Sequence, residues 1–210
     1  MSKKTSFNQT LLVEGNDDLH VILALCEKFK INESFDIIDC KGITNLTPQI
    51  PVRLKESGIK AIGIIVDADS DILKIYHSLK SILENEQFTL PLVLPEKGLI
   101  IEHNDIKLGI WIMPNNSLNG MLEDFIAFLV PKDDILLPIV KSTLLDIEKN
   151  NQNLYSINHK SKAIIHTWLS WQEDPGTPMG LGIKKRYLTT EIENCTNLIS
   201  WLNDLFNNPQ

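Results

Sequence analysis

The sequence predicts an α/β fold, a Rossmann-like, mostly parallel sheet flanked by helices and followed by a helical C-terminal extension. Three observations predict it. The first ninety residues alternate strand, helix, strand, helix, strand, helix, the order that builds a parallel sheet with helical crossovers. The run IKAIGIIV at 59–66 is almost wholly apolar, as a strand covered on both faces must be. Beyond about residue 118 the apolar spacing becomes helical throughout.

The elements follow in order. QTLLV at 9–13 reads as a short buried strand that ends at Glu14–Gly15. From Asn16 to Lys30 the apolar positions Leu19, Ile22, Leu23, Cys26 and Phe29 fall at helical spacing. Asn16 is a suitable cap, and Asp17 and Asp18 sit where a helix start favours anions. FDIID at 35–39 is a second strand, closed by Lys41–Gly42. A helical stretch to Gly58 should be broken or delayed by Pro48 and Pro51. The apolar third strand ends at Asp67, and Asp71 to Glu86 is helical. Two strand-like runs, 97–103 and 107–113, flank Asn104–Asp105 and should pair antiparallel. Pro114 to Asn119 is a break. Helices are expected at about 120–130, 132–149, 159–172 and 195–207, with loops at 148–153 and 175–182. The chain therefore divides into an α/β core over 1–115 and a mainly helical subdomain over 116–210 that packs on it.

Composition narrows the function. The chain has 210 residues, with 43% hydrophobic and 22% charged side chains, which is ordinary for a globular domain. It carries no membrane-length apolar run and no signal-peptide pattern, so a cytoplasmic protein is expected. The 3 cysteines are odd in number and far apart, which suits reduced thiols and offers no zinc spacing. A net charge of −7 makes a poor non-specific polynucleotide binder, so any nucleic-acid role needs a local basic surface.

Ligands of a parallel sheet bind outside the carboxyl ends of its strands. Glu14 ends the first strand and Asp67 the third. Asp69 lies two residues on, pointing the same way in extended chain, and Asp71 two further. Such hard oxygen donors suit Mg²⁺ or Mn²⁺, completed by waters and a substrate phosphate. The plainer alternative is that Asp69, Ser70 or Asp71 caps the helix from 71. Glu123 and Asp124 lie just inside a later helix; either they complement its dipole, or Glu123 adds an acid to the metal cluster. The one locally basic region holds His159, Lys160, Lys162, His166, Lys184, Lys185 and Arg186. It is either a solvated face or a phosphate clamp formed by Lys160, Lys162, Lys184, Lys185 and Arg186. Trp168, Trp171 and Trp201 read as core or interdomain packing rather than base-stacking platforms. The glycine-rich 177–182 segment lacks Gly-Lys-Ser/Thr and is no P-loop.

LLVEGNDD followed by GIIVDADSD resembles the Toprim domain, the topoisomerase–primase catalytic fold, over roughly residues 8–115. GIWIMPNNSLNGMLEDF and KAIIHTWLSW resemble a small bacterial family of unknown function with a Toprim-like core, similar in turn to the core of OLD-type (overcoming lysogenization defect) nucleases. The resemblance implies an acid/base role for Glu14, metal binding by Asp67 and Asp69, and Asp71 as a supporting acid. No catalytic tyrosine, helicase or zinc region is attached, so primase or topoisomerase activity is not expected. The expectation is a Mg²⁺-dependent phosphoryl-transfer enzyme, a nuclease or another phosphodiester or nucleotide hydrolase. The alternative is a non-enzymatic module that binds a metal–nucleotide or a protein partner. A receiver-like phospho-acceptor is also conceivable from Asp17, Asp18 and Asp67, but no lysine ends a fifth parallel strand.

Overall fold

A computed structural model describes residues 7–207. Its sheet has five strands: β1 (Gln9–Val13), β2 (Asp36–Asp39), β3 (Ala61–Asp67), β4 (Leu99–His103) and β5 (Ile106–Met113). They lie in the order β2-β1-β3-β5-β4, all parallel except that β4 runs antiparallel to β5. The expected strands and the antiparallel pair are therefore present.

Side-chain alternation divides the core into two layers. Leu11, Val13, Ile65, Trp111 and Met113 face one way, while Leu12, Ile62, Ile64, Val66, Ile110 and Ile112 face the other. The second layer is covered by α2 (Ile43–Leu54) and α3 (Ile72–Asn85). The first is covered by α1 (Asn16–Phe29), α4 (Leu122–Leu129), α5 (Leu136–Lys149), α6 (Lys160–Ser170), α7 (Met179–Lys184) and α8 (Glu193–Phe206). The helices after β5 thus share one apolar layer with α1 and the sheet. Side chains of α8 press on the sheet at Gly63 and Gly109, paired across β3 and β5. A Cβ on Gly109 would sit 2.5 Å from a Leu205 methyl of α8.

Three expectations need correction. Neither proline ends α2, because Leu46, Ile50 and Leu54 recur every fourth residue and all are buried in the second layer. That apolar burial outweighs the hydrogen bonds the prolines cannot make. Residues 175–182 are not wholly loop: α7 begins at Met179 and lies against α1 so closely that a Cβ on Gly180 would come within 2.5 Å of the His20 carbonyl oxygen. Trp168 and Trp201 are buried as expected, but Trp171, one residue past α6, is 42% exposed.

Candidate functional site

β1 leads through α1 to β2 on one side, and β2 returns through α2 to β3 on the other. Strand order reverses between β1 and β3, and the crevice beyond their carboxyl ends is where such sheets bind ligands. Glu14 and Asp67 stand on its two sides. The Asp67 amide donates to Glu14 Oε2 at 3.2 Å, which joins the strand ends directly. The Leu122 amide, at the start of α4, donates to Asp67 Oδ1 at 2.9 Å. A second backbone amide, that of Ile43, also reaches the Glu14 carboxyl.

The loop after Asp67 is pinned on its far side. Asp69 and Gly120 exchange two backbone hydrogen bonds of 2.8 Å. Asp69 takes φ 50°, which Asp tolerates, and Gly120 takes φ 140°, which requires glycine. The loop between β5 and α4 is thereby held over the acids. Asp124 closes it from behind, accepting from the Met121 amide at 2.9 Å and from Ser161 Oγ at 2.6 Å.

Two lobes open on the crevice, sharing Glu14, Asp67 and Lys162. The larger, about 620 Å³, adds Asp69, Ser70, Asn158, His159 and Ser161. The smaller, about 430 Å³, adds Asp17, Asp18, Asp39, Lys41 and Glu123. Acids crowd this second lobe. Burial, then the charges of Asp18, Glu14 and Glu123, push the Asp67 carboxyl up to about 9. Burial and Glu14 push Asp18 up to about 7. Burial is also the main cause that raises Glu14, against the Asp67 amide that holds it down. Glu123, only 3% exposed, is raised by burial and partly relieved by Lys162. Lys162 Nζ and His166 Nε2 stand 3.9 and 3.8 Å from Glu123 Oε1.

The structure therefore brings Glu14, Asp67, Asp69, Glu123 and Lys162 to one crevice. It does not bring Asp71, which caps α3 by accepting from the Lys74 amide at 3.0 Å. Lys160 turns away to Glu148 at 2.6 Å. Lys184 pairs with Glu27 near the C-terminal end of α1, opposite the end that borders the crevice. Lys185 pairs with Asp174, and Arg186, exposed in a left-handed turn, lines neither lobe. Four of the five proposed phosphate contacts are thus outside the crevice.

Sequence reasoning undervalued Asp18. It reads as an acid near a helix start, yet it is 6% exposed. Its Oδ2 accepts from the Gly15 amide at 3.0 Å, so Gly15, not Asn16, caps α1. Its Oδ1 is buried without a partner. The signal was its position four residues after Glu14, one helical turn into α1 and back over the strand end.

Among the described residues no three His, Cys, Asp or Glu side chains form a ready-made metal cage. A hard cation that brings its own waters would find there an unpartnered Asp18 oxygen and the desolvated carboxyls of Glu14, Asp67 and Glu123. Among the described residues no helix is long and apolar enough to cross a membrane.

Neither curated proteins nor solved structures contain a significant match to this chain. A family described as "Protein of unknown function (DUF3226)" matches residues 8–207, nearly the whole length, and the chain belongs to that family.

Proposed function

We propose that this DUF3226 chain is a Toprim-like, Mg²⁺-dependent phosphoryl-transfer enzyme, a nuclease or another phosphodiester or nucleotide hydrolase. The observation that carries the reading is the joined pair of strand-end acids, Glu14 and Asp67, at the order reversal of the sheet. The Glu–Gly and Asp-x-Asp spacing of the Toprim resemblance supports it. Asp67 and Asp69 would hold the ion, and Glu14 would share it or move the proton of the attacking water. The ion would supply Lewis-acid polarisation of the phosphoryl oxygens. Glu14 suits proton transfer because burial has raised its carboxyl above the ordinary glutamate value. Lys162 would steady the negative phosphoryl oxygens from α6.

The experiment is hydrolysis of bis(p-nitrophenyl) phosphate and of nucleoside phosphates in Mg²⁺ or Mn²⁺. Glu14→Gln should lower the rate by about 10²–10⁴-fold, the usual share of a general acid or base. No metal-dependent turnover of any phosphate ester by the wild type would overturn the enzyme reading. A second reading is favoured by the backbone amides that already occupy one oxygen each of Glu14 and Asp67. In that reading the crevice is a non-enzymatic module that holds a metal–nucleotide or a protein partner.

A further inference from the structure

The two lobes on either side of Glu14 and Asp67 differ in chemistry. The larger sets Ser70, Asn158, His159, Ser161 and Lys162 beside Asp69 and an Asp124 whose oxygens already accept from the Met121 amide and Ser161 Oγ. Its volume of about 620 Å³ lies within the range of small-molecule pockets. The smaller lobe is walled by Asp17, Asp18, Asp39 and Glu123, with Lys41 and Lys162 as its cations. A polynucleotide cut internally at Asp67 must leave the site in both directions. One of its arms would then pass the four acids that the smaller lobe adds, against two in the larger, where like charges repel. Three cations of the basic segment are engaged elsewhere, Lys184 on Glu27, Lys185 on Asp174 and Lys160 on Glu148, and Arg186 lines neither lobe.

We propose, building on the phosphoryl-transfer reading, that the substrate is a small nucleotide-sized phosphate ester that occupies only the larger lobe and extends from the reacting phosphorus in one direction. The phosphate lies at Lys162 and the metal-holding acids, and the organic group lies towards Asn158 and His159. The acid-walled lobe excludes a continuing phosphodiester backbone. Lys184, Lys185 and Arg186 form a solvated face.

The test compares thymidine diphosphate with a single-stranded thymidine oligonucleotide, both titrated calorimetrically in Mn²⁺ across a salt series. The diphosphate should bind, and the oligonucleotide should bind weakly and with a shallow salt dependence. Neutralising Lys184, Lys185 and Arg186 together should change neither titration. Asp17→Asn with Asp39→Asn should strengthen oligonucleotide binding by roughly tenfold, the low end of what a charge-lined cleft does to local ligand concentration. A steep wild-type salt slope for the oligonucleotide that falls by about 0.7 per neutralised cation, or nicking of closed circular single-stranded DNA, would overturn the substrate class while leaving the phosphoryl-transfer reading intact. Hydrolysis of neither small esters nor DNA would instead overturn that reading, and this inference with it.

Discussion

In metal-free solution at pH 7, Asp67→Asn should be more stable than the parent by on the order of 2–4 kcal/mol. The sign follows from burial. The Asp67 carboxyl is held near 9 in the folded protein, against an ordinary 3.8. Below about pH 4 both folded and unfolded chains keep this proton, so the group costs nothing. As pH rises towards 9 the unfolded chain releases the proton and the folded chain retains it. Parent stability therefore falls across that window. Asparagine has no proton to lose, and its carbonyl oxygen can still accept from the Leu122 amide. The variant's stability should vary less with pH, with a residual slope from Asp18, itself raised to about 7. Urea melts from pH 4 to pH 9 in chelator measure both. A variant less stable than the parent at pH 7, with an unchanged slope, would mean that Asp67 is not desolvated.

The second large effect is at Trp201. Its indole is 2% exposed, lies 5.9 Å from that of Trp111, and donates to the Leu99 carbonyl of the edge strand at 3.0 Å. Trp201→Ala should cost about 3–5 kcal/mol through the cavity it leaves. Trp201→Phe should cost less, since it keeps most of the ring and loses the hydrogen bond. The unfolding transition of each variant should remain single, because α8 shares its apolar layer with α1 and the sheet. A separate early transition in Trp201→Ala, with the sheet intact, would show that the C-terminal helices fold as an independent unit.

Much of the architecture was legible from local pattern. Apolar runs and strand-end punctuation marked β1, β3 and β5, and with them the positions of Glu14 and Asp67. What pattern could not supply was set by tertiary contact. Pro48 and Pro51 are local helix breakers, yet Leu46, Ile50 and Leu54 hold α2 together from the sheet side. The glycines of 177–182 look like loop, yet Gly180 is what lets α7 lie against the His20 backbone. The acids were found by spacing, but their environments were not. Asp69 and Asp71 differ by two residues in one loop; one is held at the crevice by Gly120 and the other is consumed as a helix cap. Asp17 and Asp18 are adjacent, and only the buried one loads Asp67 with its charge. The basic residues cluster in sequence but point to different partners once α6 and α7 take their places.

Thermal melts in a Mn²⁺ titration test the proposed divalent ion at Asp67 and Asp69 most directly. Mn²⁺ should raise the melting temperature of the wild type, by the equivalent of about 2.7 kcal/mol at a hundredfold excess over the dissociation constant. Binding should release protons into a weakly buffered solution, because Asp67 must give up its proton to bind a cation. Asp67→Asn combined with Asp69→Asn should abolish both effects. If that double variant keeps the full Mn²⁺-induced shift and the proton release, the ion binds elsewhere and the crevice is not a metal centre.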